Sequence, residues 1–117
     1  MKNQRLILLL FFFFVSFFLL QGTHAHAQPR LPDSGLKAEI EGRWKDAINI
    51  YQSVLMEKPE RVDLWIRMGE IESHLGNSKE AVEAYQRAVQ LSPRDPQLHF
   101  RLAQASSAAK FSSEVLS

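Results

Sequence analysis

Two kinds of apolar pattern follow one another along the chain. Leu6 to Leu20 is apolar at every position but Ser16 and shows no period. From Asp33 onward the apolar residues are spaced for helices. Between Glu60 and Leu75, Leu64, Met68, Ile71 and Leu75 recur at spacings of four, three and four with Trp65 beside them, which predicts an amphipathic helix. Gly76 and Asn77 supply a turn, because glycine accepts the left-handed conformation that closes a helix, and Ser78 is the expected N-cap of the next one. That helix runs from about Lys79 to Leu91 with Ala81, Val82, Tyr85, Ala88 and Val89 on one stripe, and Pro93 stops it.

The same grammar is written once before and begun once after. Ala47, Ile48, Tyr51, Val54 and Leu55 form a stripe that ends ahead of Pro59, and the short segment from about Asp33 to Glu41 precedes it with Leu36, Ala38 and Ile40 to bury. After Pro93, Asp95 is placed to cap a helix and Pro96 suits its first turn. Leu98, Leu102, Ala105 and Ala109 then carry an apolar face that fades into "SSAAKFSSEVLS". Phe111, Val115 and Leu116 there read as a partly apolar tail or as the start of a further helix.

The restatement has a fixed period. "GRWKDAINIY" from Gly42 returns as "GNSKEAVEAY" from Gly76, and an offset of 34 also links Gly35 to Gly69, Val54 to Ala88 and Pro59 to Pro93. Coincidences at one period mean an internal repeat. A single hairpin of this kind cannot bury its apolar face alone, so it stacks on its copies.

These residues resemble the tetratricopeptide repeat family, whose unit is a helix-turn-helix of 34 residues with the pattern W-x2-L-G-x2-Y, A-x3-F and P. The pattern falls on Trp65, Met68, Gly69, Glu72, Ala81, Tyr85 and Pro93, with Glu72 a departure where the family has Tyr, expected to loosen packing there. In the first unit Gly35, Ala47, Tyr51 and Pro59 match while Leu31 and Ser34 take the Trp and Leu places; in the third, His99, Leu102 and Ala103 fall on the Trp, Leu and Gly positions. The resemblance implies an all-α solenoid of tetratricopeptide-type hairpins over 34–110, as repeats at about 34–59 and 60–93 and a partial unit or capping helix at 95–110, with a tail at 111–117. Gly69 and Ala81 would sit where the helices of one hairpin cross, and Ala88 where the next unit stacks.

In this family the first helices of successive units line a concave groove that binds peptides or partner helices. Carried over by position, the groove presents Asp63, Ile66, Glu70, Ser73 and His74 from the second unit, Gln97, Phe100, Arg101 and Gln104 from the third, and Leu36, Glu39 and Ile40 from the first. Ile66 and Phe100 beside Arg101 are the expected anchors, since aromatic and Arg side chains dominate interface energetics; the alternative is that both pack against neighbouring helices. Some members clamp a C-terminal carboxylate with Lys, Asn and Arg. Here Ile66 and Glu70 occupy two of those places, which argues against that specificity.

Composition adjusts this picture at the N-terminus. Lys2 and Arg5, the apolar run to Leu20 and the A-x-A spacing of Ala25 and Ala27 have the layout of a secretory signal peptide at 1–27, followed by an extended lead-in at 28–33. The run of 15 residues is shorter than the about 20 that span a bilayer, so cleavage after Ala27 is expected over an uncleaved membrane anchor. Six of the eight Phe residues lie in that segment and contribute nothing to the core of the remaining chain. Without Lys2 and Arg5, 12 of the 14 basic residues remain against 13 acidic ones, a charge of about −1 that does not suit a nucleic-acid partner. The absence of Cys excludes disulfides, Cys-based metal sites and a lipid anchor on an N-terminal Cys.

Candidate chemistry is sparse. Glu70 and His74 stand one helical turn apart, a spacing for two metal ligands but without a third, so no metal and no cofactor is expected. His24 and His26 fall in the signal segment, and His99 reads as packed rather than catalytic. Glu39 with Glu41, and Glu70 with Glu72, point in different directions on their helices, and no nucleophile motif or phosphate loop is present. The chain therefore reads as a non-catalytic protein–protein interaction adaptor or scaffold, exported to the bacterial periplasm or cell envelope, where repeat arrays behind signal peptides are familiar. Its expected ligand is a protein or peptide, with oligomerisation open. The alternative is the N-terminal periplasmic part of a larger envelope or exopolysaccharide-export outer-membrane protein.

Overall fold

A computed structural model describes residues 2–20 and 30–117. The chain divides into two compact units, 1–30 and 31–117. The first holds α1 (Lys2–Leu20), whose apolar side chains from Leu6 to Phe14 are all more than half exposed. Among the described residues no helix is long and apolar enough to cross a membrane. The expected cleavage point after Ala27 lies outside the described residues, as does the start of the expected lead-in.

The second unit consists of α2 (Asp33–Ile40), α3 (Trp44–Glu57), α4 (Val62–His74), α5 (Ser78–Leu91) and α6 (Pro96–Val115). No strand occurs among the described residues. Helices α2 with α3 and α4 with α5 form two hairpins, α3 packs on α4, and α6 closes on α5. The fold is the all-α helical repeat that the period implies.

Each hairpin turn is built by the same backbone device. Gly42 and Gly76 adopt φ of +71° and +78°. The amide of the following residue reaches back to the helix, Arg43 N–H to Ala38 O at 2.8 Å and Asn77 N–H to Glu72 O at 2.8 Å. The glycine amides bond Glu39 O and Ser73 O at 2.9 and 3.2 Å, completing the paired closure of a Schellman motif. Ser78, the expected cap, is instead the first residue of α5; Asn77 holds the N-cap position and sends its side-chain amide to Glu72 Oε2 at 2.7 Å. Glu72 thereby satisfies its nearly buried carboxylate at the place where the family has Tyr. The expected cap at Asp95 is present, its Oδ1 accepting from Gln97 N–H at 2.9 Å with Pro96 opening the helix.

The turns between hairpins also repeat. Trp65 Nε1–H donates to Pro59 O at 2.9 Å, and His99 Nε2, 34 residues on, bonds Pro93 O at 2.8 Å. Because a carbonyl only accepts, His99 carries a proton on Nε2 and replaces the indole as donor.

One core cluster joins Ala38, Ala47, Ile48, Tyr51, Leu55, Leu64, Met68, Ile71 and Ala84; a second joins Ala81, Tyr85 and Ala105. Two aromatic rings set the helix crossings. A Cβ added at Gly69 would stand 2.7 Å from Tyr85 Cε1, and one at Gly35 would collide with Tyr51 in the same way. That contact rotates α2: Gly35, Ala38 and Glu39 are buried, whereas Leu36 is partly exposed and Ile40 is 80% exposed. The expected buried set of Leu36, Ala38 and Ile40 is correct only at Ala38. In α4, Leu64, Met68 and Ile71 are buried as the spacing predicted, while Leu75, just past the helix end, is exposed; in α6 Leu98 and Ala105 are buried and Leu102 and Ala109 only partly so. Helix α6 continues through Phe111 to Val115 rather than fading near Ala109, with Phe111, Val115 and Leu116 exposed.

Candidate partner-binding groove

The first helices of the three units, α2, α4 and α6, are joined by a ladder of charges. The Arg67 guanidinium on α4 donates from Nε to Glu39 Oε1 on α2 at 2.9 Å and from Nη2 to Glu39 Oε2. Its Nη1 donates to Glu70 Oε2 at 2.9 Å, and Glu70 Oε1 accepts from Arg101 Nη1 on α6 at 2.7 Å. The rungs thus alternate in sign, Glu39, Arg67, Glu70, Arg101, and end on a cation.

Burial differs along the ladder. Glu39 is 6% exposed and its Oε1 also accepts from the Tyr51 hydroxyl, whereas Arg67, Glu70 and Arg101 keep partial contact with water. Burial, and then the neighbouring Glu39 carboxylate, push the Tyr51 phenol well above its ordinary value, because both oppose a second negative charge. Hydrogen bonding to Glu39 first, and to Glu70 next, outweighs desolvation and raises Arg67. Arg101 is raised chiefly by hydrogen bonding with the Tyr85 side chain, with Glu70 adding to it.

The expected groove residues separate on this frame. Glu70 and Arg101 are bonded to each other, and Ser73, Arg101 and Gln104 line one cavity of about 240 Å³ together with Tyr85, Ser78, Ala105 and Ala108. Phe100 is 60% exposed and Ile66 half-buried. Asp63 is engaged by Arg61, whose Nε donates to Asp63 Oδ1 at 2.8 Å, and Gln97 is tied by its backbone to the Asp95 cap. His74 is paired with Trp44, their rings 5.0 Å apart and tilted by 56°. With Glu70 held by two Arg side chains and His74 against Trp44, the two do not converge on a metal; among the described residues no group of three or more potential ligands does. Leu36 and Ile40 stand exposed at the α2 end. Glu39, expected to face a ligand, is consumed inside the protein: its position on the Gly35 stripe turns it inward onto Tyr51 and Arg67.

Sequence spacing on single helices missed the roles of Tyr51 and Arg67, because they reach Glu39 from 12 and 28 residues away. The 34-residue offset held the signal: it maps Glu39, Tyr51 and Arg67 onto Ser73, Tyr85 and Arg101.

No curated protein matches the chain. A family model described as tetratricopeptide repeat matches residues 38–99, from the buried alanine of α2 to the histidine that replaces Trp65 in the third unit. With that match covering more than half of the chain, on hairpins closed by glycine turns and each packed internally by a tyrosine–glycine contact, the chain belongs to the tetratricopeptide repeat family.

Proposed function

We propose that the protein is a non-catalytic adaptor of the cell envelope, exported by its N-terminal segment, that holds a peptide or partner protein against the face formed by α2, α4 and α6. Tetratricopeptide repeats generally mediate protein–protein interaction. The observation that carries the assignment of the face is the Glu39–Arg67–Glu70–Arg101 ladder joining α2, α4 and α6, with Ser73, Arg101 and Gln104 lining one cavity there and Phe100 exposed on α6. An exposed aromatic ring and a partly exposed guanidinium on one helix supply apolar area and directional donors, the features that dominate interface energetics. The export reading draws on α1, whose all-round apolar surface has no buried face to place in a globular core.

Affinity capture from envelope extract with the wild-type chain and with Phe100→Ala and Ile66→Asp tests the face. Partner loss in both variants with a retained helical signal is the expected result. Unchanged capture by both variants defeats the assignment.

A further inference from the structure

The cavity beside Arg101 has a filled counterpart one repeat earlier. Subtracting 34 from its lining residues Ser73, Tyr85 and Arg101 gives Glu39, Tyr51 and Arg67, the triad in which a carboxylate is held by a phenol and a guanidinium. The same offset takes Ser78 and Ala108 to Trp44 and His74, whose rings pack together at 5.0 Å, and takes Ala105 to the buried Ile71. In the first copy the space is therefore plugged by a carboxylate and two rings. In the second, each plug is replaced by Ser or Ala, while the two groups that gripped the carboxylate remain. The result is a cavity of about 240 Å³.

The guanidinium there begins as its counterpart does. Arg67 spends Nη1 on Glu70 and presents Nε and Nη2 to Glu39; Arg101 spends Nη1 on Glu70 as well. Among the described residues Glu70 is its sole carboxylate partner, and the Tyr85 side chain with which it hydrogen-bonds lines the cavity beside it, so the cavity wall carries a guanidinium and a phenol but no carboxylate. A guanidinium edge and a phenol match the two oxygens of a carboxylate, and charge-assisted bonds of this kind are stronger and more directional than neutral ones.

We infer that this cavity is a recognition subsite for a glutamate side chain of a partner polypeptide, with an aromatic residue beside it, occupying the places that Glu39 and the Trp44–His74 pair fill in the preceding repeat. This rests on the adaptor reading above and gives it a chemistry. The protein carries its own template: the ligand completes the second copy of a site that the first copy completes from within. The internal carboxylate comes from a side chain on a helix, which is why a glutamate rather than a chain terminus is the occupant.

The test is a titration of the full chain, kept soluble in a nonionic detergent, followed by 15N–1H correlation spectra that include the arginine Nε–H region. The probes are the N-acetylated dipeptide amides Glu-Trp, Gln-Trp and Glu-Ala, and N-acetyl-Ala-Trp with a free C-terminal carboxylate. Glu-Trp is expected to shift the Ser73 amide and the Arg101 Nε–H, and to bind about tenfold more tightly than Gln-Trp, the effect of about one charge-assisted hydrogen bond. Glu-Ala binds more weakly than Glu-Trp. Ser73→Glu rebuilds the internal triad, so it melts at or above the wild-type temperature and loses the Glu-Trp response; Tyr85→Phe folds and weakens it. Equal binding of Glu-Trp and Gln-Trp, undiminished binding by Ser73→Glu, or a lowered melting temperature for Ser73→Glu would each overturn the subsite. Tighter binding of the free-carboxylate probe overturns the side-chain assignment in favour of a chain terminus. Failure here with capture still sensitive to Phe100→Ala removes the subsite and leaves the adaptor reading standing.

Discussion

Replacing Arg67 with Ala probes the ladder where it is most buried. Glu39 is 6% exposed and receives two hydrogen bonds from Arg67 and one from Tyr51. Truncation removes the cation and leaves the carboxylate with the phenol alone. Breaking a fully buried ion pair costs about 3–5 kcal/mol, because the surviving charge stays desolvated. The Arg67 side chain is 37% exposed, so water enters where it leaves, and the loss falls to about 2–3 kcal/mol. Glu70 also loses a partner, but it remains bonded to Arg101 and partly solvated, which adds less than about 1 kcal/mol.

That loss is large against the whole. A folded unit spanning 31–117 has a total stability of about 4–13 kcal/mol at ~0.05–0.15 kcal/mol per residue. At about 4–8 °C per kcal/mol for a domain of this size, Arg67→Ala lowers the melting temperature by about 10–20 °C. The assay is thermal melting followed by circular dichroism at neutral pH, with Arg101→Ala as the internal control. Arg101 occupies the same place one repeat later but faces Ser73 instead of a buried carboxylate, so its removal costs about 1 kcal/mol or less. A melting temperature for Arg67→Ala within about 3 °C of wild type, or equal losses at Arg67 and Arg101, would refute the claim that Glu39 is a buried charge dependent on Arg67.

Alkaline titration reports on Tyr51: burial and the Glu39 carboxylate hold its folded-state pKa above the ordinary phenol value of about 10, so above that pH the unfolded chain releases a phenol proton that the native state keeps, and stability falls as pH rises. Melting at pH 9 and pH 11 is expected to show a steeper loss in wild type than in Tyr51→Phe, and parallel losses would contradict this. At Gly42, whose φ is +71° in open space, Ala costs about 1–2 kcal/mol from backbone strain while Asn costs less, measured by urea denaturation. Gly69→Ala, by contrast, meets Tyr85 Cε1 at 2.7 Å and is expected to cost about 1–3 kcal/mol by overpacking, a loss that the second substitution Tyr85→Leu relieves. If the export proposed above holds, N-terminal sequencing of the chain recovered from the envelope fraction begins at Gln28; a start at Met1 or Lys2 would mean an uncleaved anchor.

The period of 34, the glycines at its turns and the prolines after its second helices determined by themselves that the chain stacks helical hairpins. Those signals are local: a positive-φ turn needs Gly, a missing amide ends a helix, and an apolar stripe with helical spacing buries one face. They held for α3, α4 and α5, where the stripe is long enough to set the rotation of the helix. In the eight-residue α2 they did not, because the Gly35–Tyr51 contact, not the sum of Leu36, Ala38 and Ile40, decides which side turns inward. That choice buries Glu39, and a buried carboxylate then recruits Tyr51 and Arg67 from other helices. Whether Ser73, Tyr85 and Arg101 enclose a cavity depends equally on three helices meeting, since each lining residue is unremarkable on its own stretch of chain. The repeat was written in the sequence because it is enforced residue by residue; the difference between a plugged copy and an open one was decided only in the tertiary structure, where side chains 12 to 31 residues apart compete for the same space.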